Sequence, residues 1–318
     1  MKEILKSPTA DQFEEVPCYL CGTDSTTPFI EAEDDLGGKP GRFHFVRCNT
    51  CGLTYQSPRL RFEHIGTYYD DEYIAHRKKK EWGILTPLYE WTMGKHDRDK
   101  LKLVQRYVQL DIDRRVLDVG CGSGSFLALA TKRTGAKASG VDFKDLSALP
   151  WMKNLDFRFG TLASQDFETD RFDLITMWHF LEHDYDPLDT LTKARDLLTP
   201  NGRLIIEVPR LDSLTFKLYG NRWPGLQAPQ HTLLFNMETL PKIIERAGLK
   251  VVDHKPYGAF PSYFYIFCGA AFKVLKGRGL NLSRAIYPYF IGQVLLSPLL
   301  LFERHLNLAM QSIVCEKL

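Results

Sequence analysis

The stretch Val116-Leu-Asp-Val-Gly-Cys-Gly-Ser-Gly124 decides the fold of this chain. A short apolar run ends directly in a glycine-rich turn, and an amphipathic segment, Phe126 to Thr131, follows at once. Strand, glycine turn and helix in this order bring free backbone amides to a ligand, because glycine lets the backbone bend sharply and approach closely. Ala138 to Asp142 then predicts a second strand, whose final carboxylate stands 22 residues after Gly120. That carboxylate can bind a ribose diol, although a role as a helix N-cap or turn residue is the alternative.

Strands and helices are predicted to alternate after this unit. The predicted strands are Phe157 to Leu162, Phe172 to Trp178, Arg203 to Val208, Leu249 to Asp253 and Ser312 to Glu316, and the predicted helices are Pro187 to Leu198 and Met237 to Ala247, with Asn236 as a possible cap. Such alternation implies an α/β fold with a mostly parallel sheet.

The spacing of the glycines separates two classes of nucleotide ligand. Nicotinamide enzymes use G-x-G-x-x-G for a pyrophosphate, whereas here the third glycine comes one residue early and Ser125 follows it. Asp118, two residues before Gly120, can accept hydrogen bonds from an ammonium group. S-adenosylmethionine carries an α-ammonium and no pyrophosphate, so the pattern favours this methyl donor over a dinucleotide.

The stretch 116–124 resembles the first motif of class I S-adenosylmethionine-dependent methyltransferases. Phe172 to His183 and Leu198 to Pro209 resemble later motifs of that family in the right order, and the resemblance covers residues 113–258. It implies a Rossmann-like seven-stranded sheet and a transferase that acts on a small-molecule, glycan or lipid-linked acceptor. A nicotinamide-dependent oxidoreductase and a non-catalytic cofactor-binding scaffold with a zinc docking module are the alternatives.

The resemblance also implies roles for individual residues. Asp118, Gly120 and Gly122 would hold the methionine part of the cofactor and Asp142 its ribose, Thr161 and Leu162 would flank the adenine, and Trp178 and His179 would line the boundary between cofactor and substrate.

Two histidines are candidates for the acid–base chemistry. Gln230-His231-Thr-Leu-Leu-Phe235-Asn236 resembles a loop of sugar C-methyltransferases, which carries Glu-His before an aromatic-Ser segment. Histidine titrates near neutral pH, which makes His231 the candidate base, unless it merely packs or caps the loop. His179 is the second candidate. His179-Phe-Leu-Glu-His183 also matches the H-x-x-E-H string of a zinc peptidase class, but that string needs a helix, and a strand end is predicted here.

The N-terminal region contains two C-x-x-C pairs, Cys18 with Cys21 and Cys48 with Cys51, each followed by glycine. A strand pair at Phe29 to Glu33 and Phe43 to Arg47 can fill the loop between them. Four thiolates leave no open coordination position, so the pattern predicts a structural zinc ion in a ribbon-like module, with free or redox-active thiols as the alternative. The first residues, Met1 to Val16, lack the apolar core of a signal peptide, which favours the cytoplasm.

The net charge of the chain is small. The net charge of +2 is the difference between 41 basic and 39 acidic residues, so nucleic acid is not expected as a partner.

We expect a zinc module at 1–59, a helical connector at 60–112, the cofactor domain at 113–258, and an apolar helical hairpin with a closing strand at 259–318. The connector contains a basic run, Arg77 to Lys80, for which a solvated helix face is predicted.

The segment 260–302 contains no Asp or Glu, and its basic residues are Lys273, Lys276, Arg278 and Arg284. Ile286 to Phe302 is an uncharged run of 17 residues, which Pro288 and Pro298 interrupt, so it does not predict a membrane span. The sequence favours a lid or a homodimer interface. The alternative is peripheral contact with the inner face of a membrane, for which a lipid-linked acceptor would be natural.

Overall fold

The computed structural model describes residues 6–69, 86–149, 152–169, 171–306 and 308–318. The basic run Arg77 to Lys80 lies outside the described residues. Within these ranges the chain forms a small N-terminal sheet, a large central sheet and a pair of C-terminal helices.

The N-terminal module consists of short antiparallel strands. Its strands are β1 (Phe13–Glu14), β2 (Thr26–Ala32), β3 (Phe43–Cys48), β4 (Thr54–Gln56) and β5 (Arg59–Leu60). The pairing of β2 with β3 confirms the strand pair predicted between the two cysteine pairs, and β3 also pairs with β4. Two helices, α1 (Phe62–Ile65) and α2 (Thr86–Val104), follow the module.

The central sheet has seven strands and the alternation of strands and helices that the sequence predicts. The elements of this part of the chain, in order, are β6 (Arg115–Val119), α3 (Ser125–Thr134), β7 (Lys137–Asp142), β8 (Asp156–Phe159), β9 (Phe172–Trp178), α4 (Pro187–Leu197), β10 (Leu198–Pro209), α5 (Leu214–Tyr219), β11 (Leu233–Leu234), α6 (Thr239–Arg246), β12 (Leu249–Lys255), α7 (Tyr263–Leu275), α8 (Leu282–Leu300), α9 (Glu303–Leu306) and β13 (Met310–Lys317). All of these strands except β11 belong to the central sheet.

The strand order in this sheet is β12-β13-β10-β9-β6-β7-β8. The strands from β10 to β8 are parallel to their neighbours, whereas β13 runs antiparallel between β10 and β12. Leu117, Ile175 and Ile206 are fully buried in the middle strands, as expected for a parallel sheet that is covered on both faces. The carboxyl ends of β6, β7, β9 and β10 therefore share one edge, and the candidate site residues follow these ends.

Several predicted boundaries differ from the structure, and three of these differences have a clear local cause. β8 ends at Phe159 and not at Leu162, since Gly160 turns the chain with a φ of 125°. β10 begins at Leu198 because a bulge absorbs the turn at Pro200 to Gly202. α6 begins at Thr239, two residues late, although the Asn236 side chain accepts the Thr239 backbone N–H at 2.8 Å, which accounts for the predicted cap.

A strand pairing joins the N-terminal module to the central domain. β11 adds to the edge of the small sheet, where Leu233 pairs with Tyr55 and Leu234 with Thr54. Leu53 and Tyr55 are fully buried in the same apolar core as Leu117 of the central sheet. The module and the cofactor domain therefore share their packing.

The C-terminal segment forms the predicted helical hairpin from α7 and α8. Tyr263 of α7 lies against Tyr289 of α8 with 5.0 Å between the ring centroids, and Gly292 lets the Tyr263 hydroxyl approach the α8 backbone. Among the helices of the described residues, none has the length and apolarity needed to cross a membrane.

Candidate active site

The glycine turn after β6 is built around left-handed backbone conformations. Gly120, Gly122 and Gly124 have φ values of 72°, 51° and 69°, which side chains disfavour. A Cβ atom on Gly120 would lie 2.5 Å from the Phe180 ring, so the turn also needs glycine for close packing against the segment after β9. Gly120 donates its N–H to the Val141 carbonyl at 2.8 Å, which ties the turn to β7.

Asp118 lies at the end of β6 with its carboxyl group buried. The Thr176 hydroxyl donates to its Oδ1 atom at 2.6 Å. Burial raises the pKa of Asp118 to about 7, and this outweighs the opposing effects of Lys100 and Thr176. A cationic ligand group beside this carboxyl would favour its ionised form.

Asp142 ends β7 and closes the other side of the turn. Its two carboxylate oxygens accept the backbone N–H groups of Gly122 at 2.8 Å and Lys144 at 2.9 Å. Asp142 therefore stabilises the turn, as the alternative interpretation predicted. Each of its carboxylate oxygens also retains a lone pair that can accept a hydrogen bond from a hydroxyl group. The next residue, Phe143, places its ring 4.9 Å from the Tyr69 ring of the N-terminal region.

The residues assigned to the adenine and to the substrate boundary lie in different surroundings. Leu162 is buried in the core, whereas Thr161 is exposed in the loop after β8. Trp178 is buried against Phe126 of α3, and Lys100 lies 5.2 Å from its ring. Of the two residues predicted to flank the adenine, Thr161 therefore has the accessible side chain. Trp178 lies buried beneath the candidate site.

His179 follows Trp178 in a left-handed conformation, with a φ of 55°. Its Nε2 atom lies 3.3 Å from Glu207 of β10, and its Nδ1 atom lies 3.7 Å from Glu182. Burial disfavours the imidazolium, but the nearby carboxylates of Glu182 and Glu207 outweigh it and raise the pKa of His179. A non-glycine residue in this backbone region is strained, and such strain occurs at functional sites.

Glu207 connects His179 to the start of the C-terminal hairpin. Its carboxylate accepts the backbone N–H groups of Ala259 at 2.5 Å and Phe260 at 2.9 Å. The Phe260 ring lies 4.7 Å from the His179 ring and 5.3 Å from the ring of His96 on α2. His96, His179 and Glu207 therefore form one buried cluster at the edge of the sheet.

His231 belongs to a second buried cluster. It donates from Nδ1 to the Gly225 carbonyl at 2.8 Å, and its ring lies 4.4 Å from His183. Burial holds the pKa of His231 well below the usual value and also lowers the pKa of His183. Both rings are therefore neutral at neutral pH, the form that can accept a proton.

Two further groups complete this second cluster. Glu182 is almost fully buried, and neither of its carboxylate oxygens has a hydrogen-bond partner among the described residues. The Tyr69 hydroxyl lies 2.8 Å from Nδ1 of His183, and thus connects the histidine pair to Phe143 beside Asp142. The two clusters can therefore accept a proton beside the edge of the sheet that carries Asp118 and Asp142, the residues predicted to bind the cofactor.

The H-x-x-E-H string does not bring its two histidines together. Leu181 to His183 forms a single 3-10 turn, and His179 faces Glu207 and His96 whereas His183 packs on His231. A peptidase-type zinc site with both histidines on one ion is therefore inconsistent with this geometry.

Comparison with known proteins agrees with this arrangement. Residues 93–254, half of the chain, match the family described as a methyltransferase domain. The chain belongs to this family, the class I S-adenosylmethionine-dependent methyltransferases.

Relatives of this methyltransferase cover the same region. The ubiquinone biosynthesis O-methyltransferase of Dinoroseobacter shibae is 29% identical over 154 residues, which are 44% of this chain and 62% of that protein. The corresponding enzyme of Cereibacter sphaeroides (strain ATCC 17023) is 30% identical over 155 residues, with the same coverage of 44% and 62%. The chain thus spans about three fifths of the length of these relatives.

A solved structure shares the fold of this methyltransferase. Phosphoethanolamine N-methyltransferase 2 of Haemonchus contortus, in complex with S-adenosyl-L-methionine, superposes with a TM-score of 0.53 and 17% identity. The match covers 86% of this chain and 64% of that chain. It supports the Rossmann-like seven-stranded sheet that the family resemblance implied.

The four cysteines of the N-terminal module converge. Cys18 lies 3.4 Å from Cys51 and Cys21 lies 3.5 Å from Cys48, sulfur to sulfur, and all four sulfur atoms lie within 4.8 Å of one another. Sulfur atoms around a tetrahedral zinc ion with bonds of about 2.3 Å are roughly 3.8 Å apart, so the donor set and its size fit zinc.

Both cysteine pairs have the backbone of a metal-binding knuckle. Gly22 and Gly52, with φ values of 74° and 81°, donate their N–H groups to the carbonyls of Cys18 and Cys48. Tyr55 is fully buried in the same core as the cysteine cluster. Trp223 is likewise buried and donates its indole N–H to Thr215 at 3.0 Å.

Sequence reasoning missed Tyr69, His96 and Glu207. Glu207 carried a signal, an acidic residue within the apolar strand Leu204 to Val208. Tyr69 and His96 carried none, because each reaches the site from the N-terminal side of the chain and only the packing of the connector brings them there.

The raised pKa of Asp118 predicts how cofactor binding depends on pH. If the ionised carboxylate binds the cofactor ammonium, affinity is fully present above the pKa of about 7 and falls as pH decreases through it, by up to about tenfold per pH unit. Titration calorimetry with S-adenosylmethionine between about pH 8 and pH 6 measures this. Asp118→Asn should bind more weakly at high pH and lose the pH dependence. A wild-type affinity that stays constant over this range would refute the role of Asp118.

Proposed function

We propose that this chain transfers the methyl group of S-adenosylmethionine to a hydroxyl oxygen of a small organic acceptor. The observation that carries the proposal is the neutral histidine pair His183–His231, which the Tyr69 hydroxyl connects to the cofactor-binding edge of the sheet. The names of the relatives, ubiquinone biosynthesis O-methyltransferases, support an oxygen acceptor. A glycan or a lipid-linked molecule that presents a hydroxyl group fits the same chemistry.

The cofactor supplies an electrophilic methyl group on a sulfonium. In the proposed site, the residues of the chain bind the donor and manage one proton of the acceptor. Asp118 would bind the ammonium of the methionine part, the glycine turn would let the backbone approach it closely, and Asp142 would bind the ribose hydroxyls. The acceptor hydroxyl would have to approach in line with the methyl group, and holding it there would supply a large part of the rate.

His231 is the proposed general base, and it acts together with His183. With Nδ1 donating to the Gly225 carbonyl, Nε2 of His231 carries the lone pair. The low pKa of both histidines keeps them unprotonated before the acceptor binds. The buried Glu182 carboxylate lies beside both rings and stabilises the imidazolium that proton transfer creates.

His179 has a different part in this proposal. Both of its ring nitrogens lie near carboxylates and its pKa is raised, so a larger fraction of His179 than of His183 or His231 is already protonated at neutral pH. It connects Glu207 to Phe260 and thereby positions the segment that borders the acceptor. Neighbouring titratable groups whose pKa values are shifted in opposite directions by their surroundings often have different roles in a reaction.

We also propose that the four cysteines hold one structural zinc ion. The convergence of the sulfur atoms and the two knuckle turns support this assignment. Four thiolate ligands leave the metal without an open position, so its contribution is to the fold of the module.

Substitution of His231 tests the proposed base. We expect His231→Gln to lower kcat by about a hundredfold to ten thousandfold with a hydroxylated aromatic acceptor, while the Kd for S-adenosylmethionine stays unchanged. The rate of the variant should recover at alkaline pH, because the acceptor then ionises without a base. Transfer of a radiolabelled methyl group measures both effects.

Two comparisons make this test specific. His183→Gln should show the same pattern, whereas His305→Gln, which changes an exposed histidine on α9, should retain full activity. Full activity of His231→Gln at neutral pH would contradict the proposal. A parallel loss of cofactor affinity would instead assign His231 to the fold of the loop.

A further inference from the structure

The outer face of α8 is apolar and exposed. Tyr287, Ile291, Val294 and Leu295 recur at helical spacing, and 63% of Ile291 and 72% of both Val294 and Leu295 are accessible. Tyr289 and Gly292, on the other side of the helix, contact Tyr263 of α7. We call Tyr287, Ile291, Val294 and Leu295 the hairpin face. A contiguous apolar surface of this kind marks an interaction site.

The apolar surface continues beyond the helix. Leu301 and Phe302, directly after α8, are 80% and 59% exposed, and Val274 near the end of α7 is 80% exposed. The exposed residues around Val274 are basic: Lys273, Lys276 and Arg278. No Asp or Glu occurs between residues 260 and 302 of the sequence.

We propose that the hairpin face docks on an anionic lipid bilayer, with Lys273, Lys276 and Arg278 contacting the headgroups. Apolar side chains that enter the acyl boundary next to basic residues are the combination that binds such surfaces. This surface lies outside the proposed catalytic machinery and requires no cofactor.

Charge favours an anionic bilayer over a second copy of the chain as the binding partner of the hairpin face. A second copy on the same face would have to supply negative charge from outside this segment, because residues 260–302 contain no acidic residue to pair with the basic ones. Anionic lipid supplies the missing negative charge. Since the hairpin neither buries its apolar face nor covers the site with it, the lid interpretation is also disfavoured.

The base of the hairpin connects this surface to the candidate site. The Ser262 hydroxyl bonds to Glu303, which joins the two ends of the hairpin, and Phe260 contacts the His179 ring. Bilayer binding would thus bring the site close to acceptors that reside in the membrane, a consequence that rests on the proposed function.

Vesicle sedimentation of the full chain without cofactor tests the docking surface. We expect binding to phosphatidylcholine vesicles that contain phosphatidylglycerol, little binding to phosphatidylcholine alone, and weakening by salt. Ile291→Glu combined with Leu295→Glu should reduce binding at least about tenfold, because charge replaces apolar contact. Lys276→Gln combined with Arg278→Gln should reduce it roughly fivefold per charge.

Matched variants control for general effects of charge. Ile112→Glu changes an isoleucine that is 67% exposed outside the hairpin, and Lys132→Gln with Arg133→Gln removes two exposed charges of α3. Both should bind as the wild type does. No vesicle binding, equal binding to neutral vesicles, or full binding of the Ile291 and Leu295 variant would overturn the proposal. So would a dimer in light scattering that this variant converts to monomer without any vesicle binding. Methyl transfer with a soluble acceptor is measured separately, so failure of either proposal is distinguishable.

Discussion

Asp142→Ala is expected to weaken S-adenosylmethionine binding about a hundredfold. A carboxylate that accepts two ribose hydroxyls contributes roughly 1.5 kcal/mol or more per hydrogen bond, and about 3 kcal/mol corresponds to a factor near one hundred. The variant also leaves the Gly122 and Lys144 amides without their carboxylate acceptor, which loosens the glycine turn. Calorimetric titration of the purified protein measures the change in Kd.

Two controls accompany this experiment. Asp145→Ala changes a carboxylate in the same loop that accepts the backbone N–H of Ser147, and it should leave the affinity unchanged. Asp142→Asn retains one acceptor oxygen and should fall between the wild type and alanine. Titration with NADH is expected to show no binding. Binding of NADH alone, or an Asp142→Ala variant with wild-type affinity, would contradict the assignment of the cofactor.

Loss of the four-cysteine site is expected to have the largest effect on stability. Structural zinc contributes about 10–16 kcal/mol of apparent binding free energy in small zinc domains, so Cys48→Ser should destabilise the module by more than about 5 kcal/mol. The Cys48 variant should therefore lose its zinc and unfold at a lower temperature than the wild type, beginning with residues 13–60. Metal analysis and thermal unfolding measure these two results.

Loss of zinc should also lower catalytic activity, because strand β4 of the module supports the loop that carries His231. β4 pairs with β11 next to His231, and the Gln56 side chain donates to the His231 carbonyl at 2.5 Å. We therefore expect kcat to collapse in Cys48→Ser while the Kd for S-adenosylmethionine changes little, because Asp118 and Asp142 lie on the central sheet.

Cys268→Ala is the matched control for the zinc experiment, since Cys268 is a buried thiol of α7 outside the cluster. It should retain zinc and show only the modest destabilisation of a small cavity. Wild-type zinc content in Cys48→Ser would exclude the four-thiolate site. Full activity without zinc would show that the module does not support the His231 loop.

Local patterns in the sequence were sufficient for the cofactor-binding half. The glycine turn, the strand before it and the acidic residue at Asp142 are neighbours in sequence, and the structure places them together at one sheet edge. The cysteine knuckles are equally local, since two residues between thiols and a following glycine determine the turn. The assignments of Thr161, Leu162, Trp178 and the two candidate histidines stay predictions.

The acceptor side could not be derived in this way. Tyr69, His96, Glu207 and Phe260 are distant in sequence and meet only because the connector, β10 and the hairpin base pack around His179 and His183. The direction of each histidine pKa shift depends on burial and on which carboxylate is nearest. Neither can be obtained from a histidine's neighbours along the chain.

By itself the sequence determined the α/β class, the methyl-donor motif and the clustering of four cysteines, because short-range turn geometry and strand periodicity encode them. Only the tertiary structure decided which histidines are neutral, how the four-cysteine module supports the His231 loop and which face of α8 stays exposed. These properties depend on desolvation and on contacts between distant segments, and both exist only once the chain is packed.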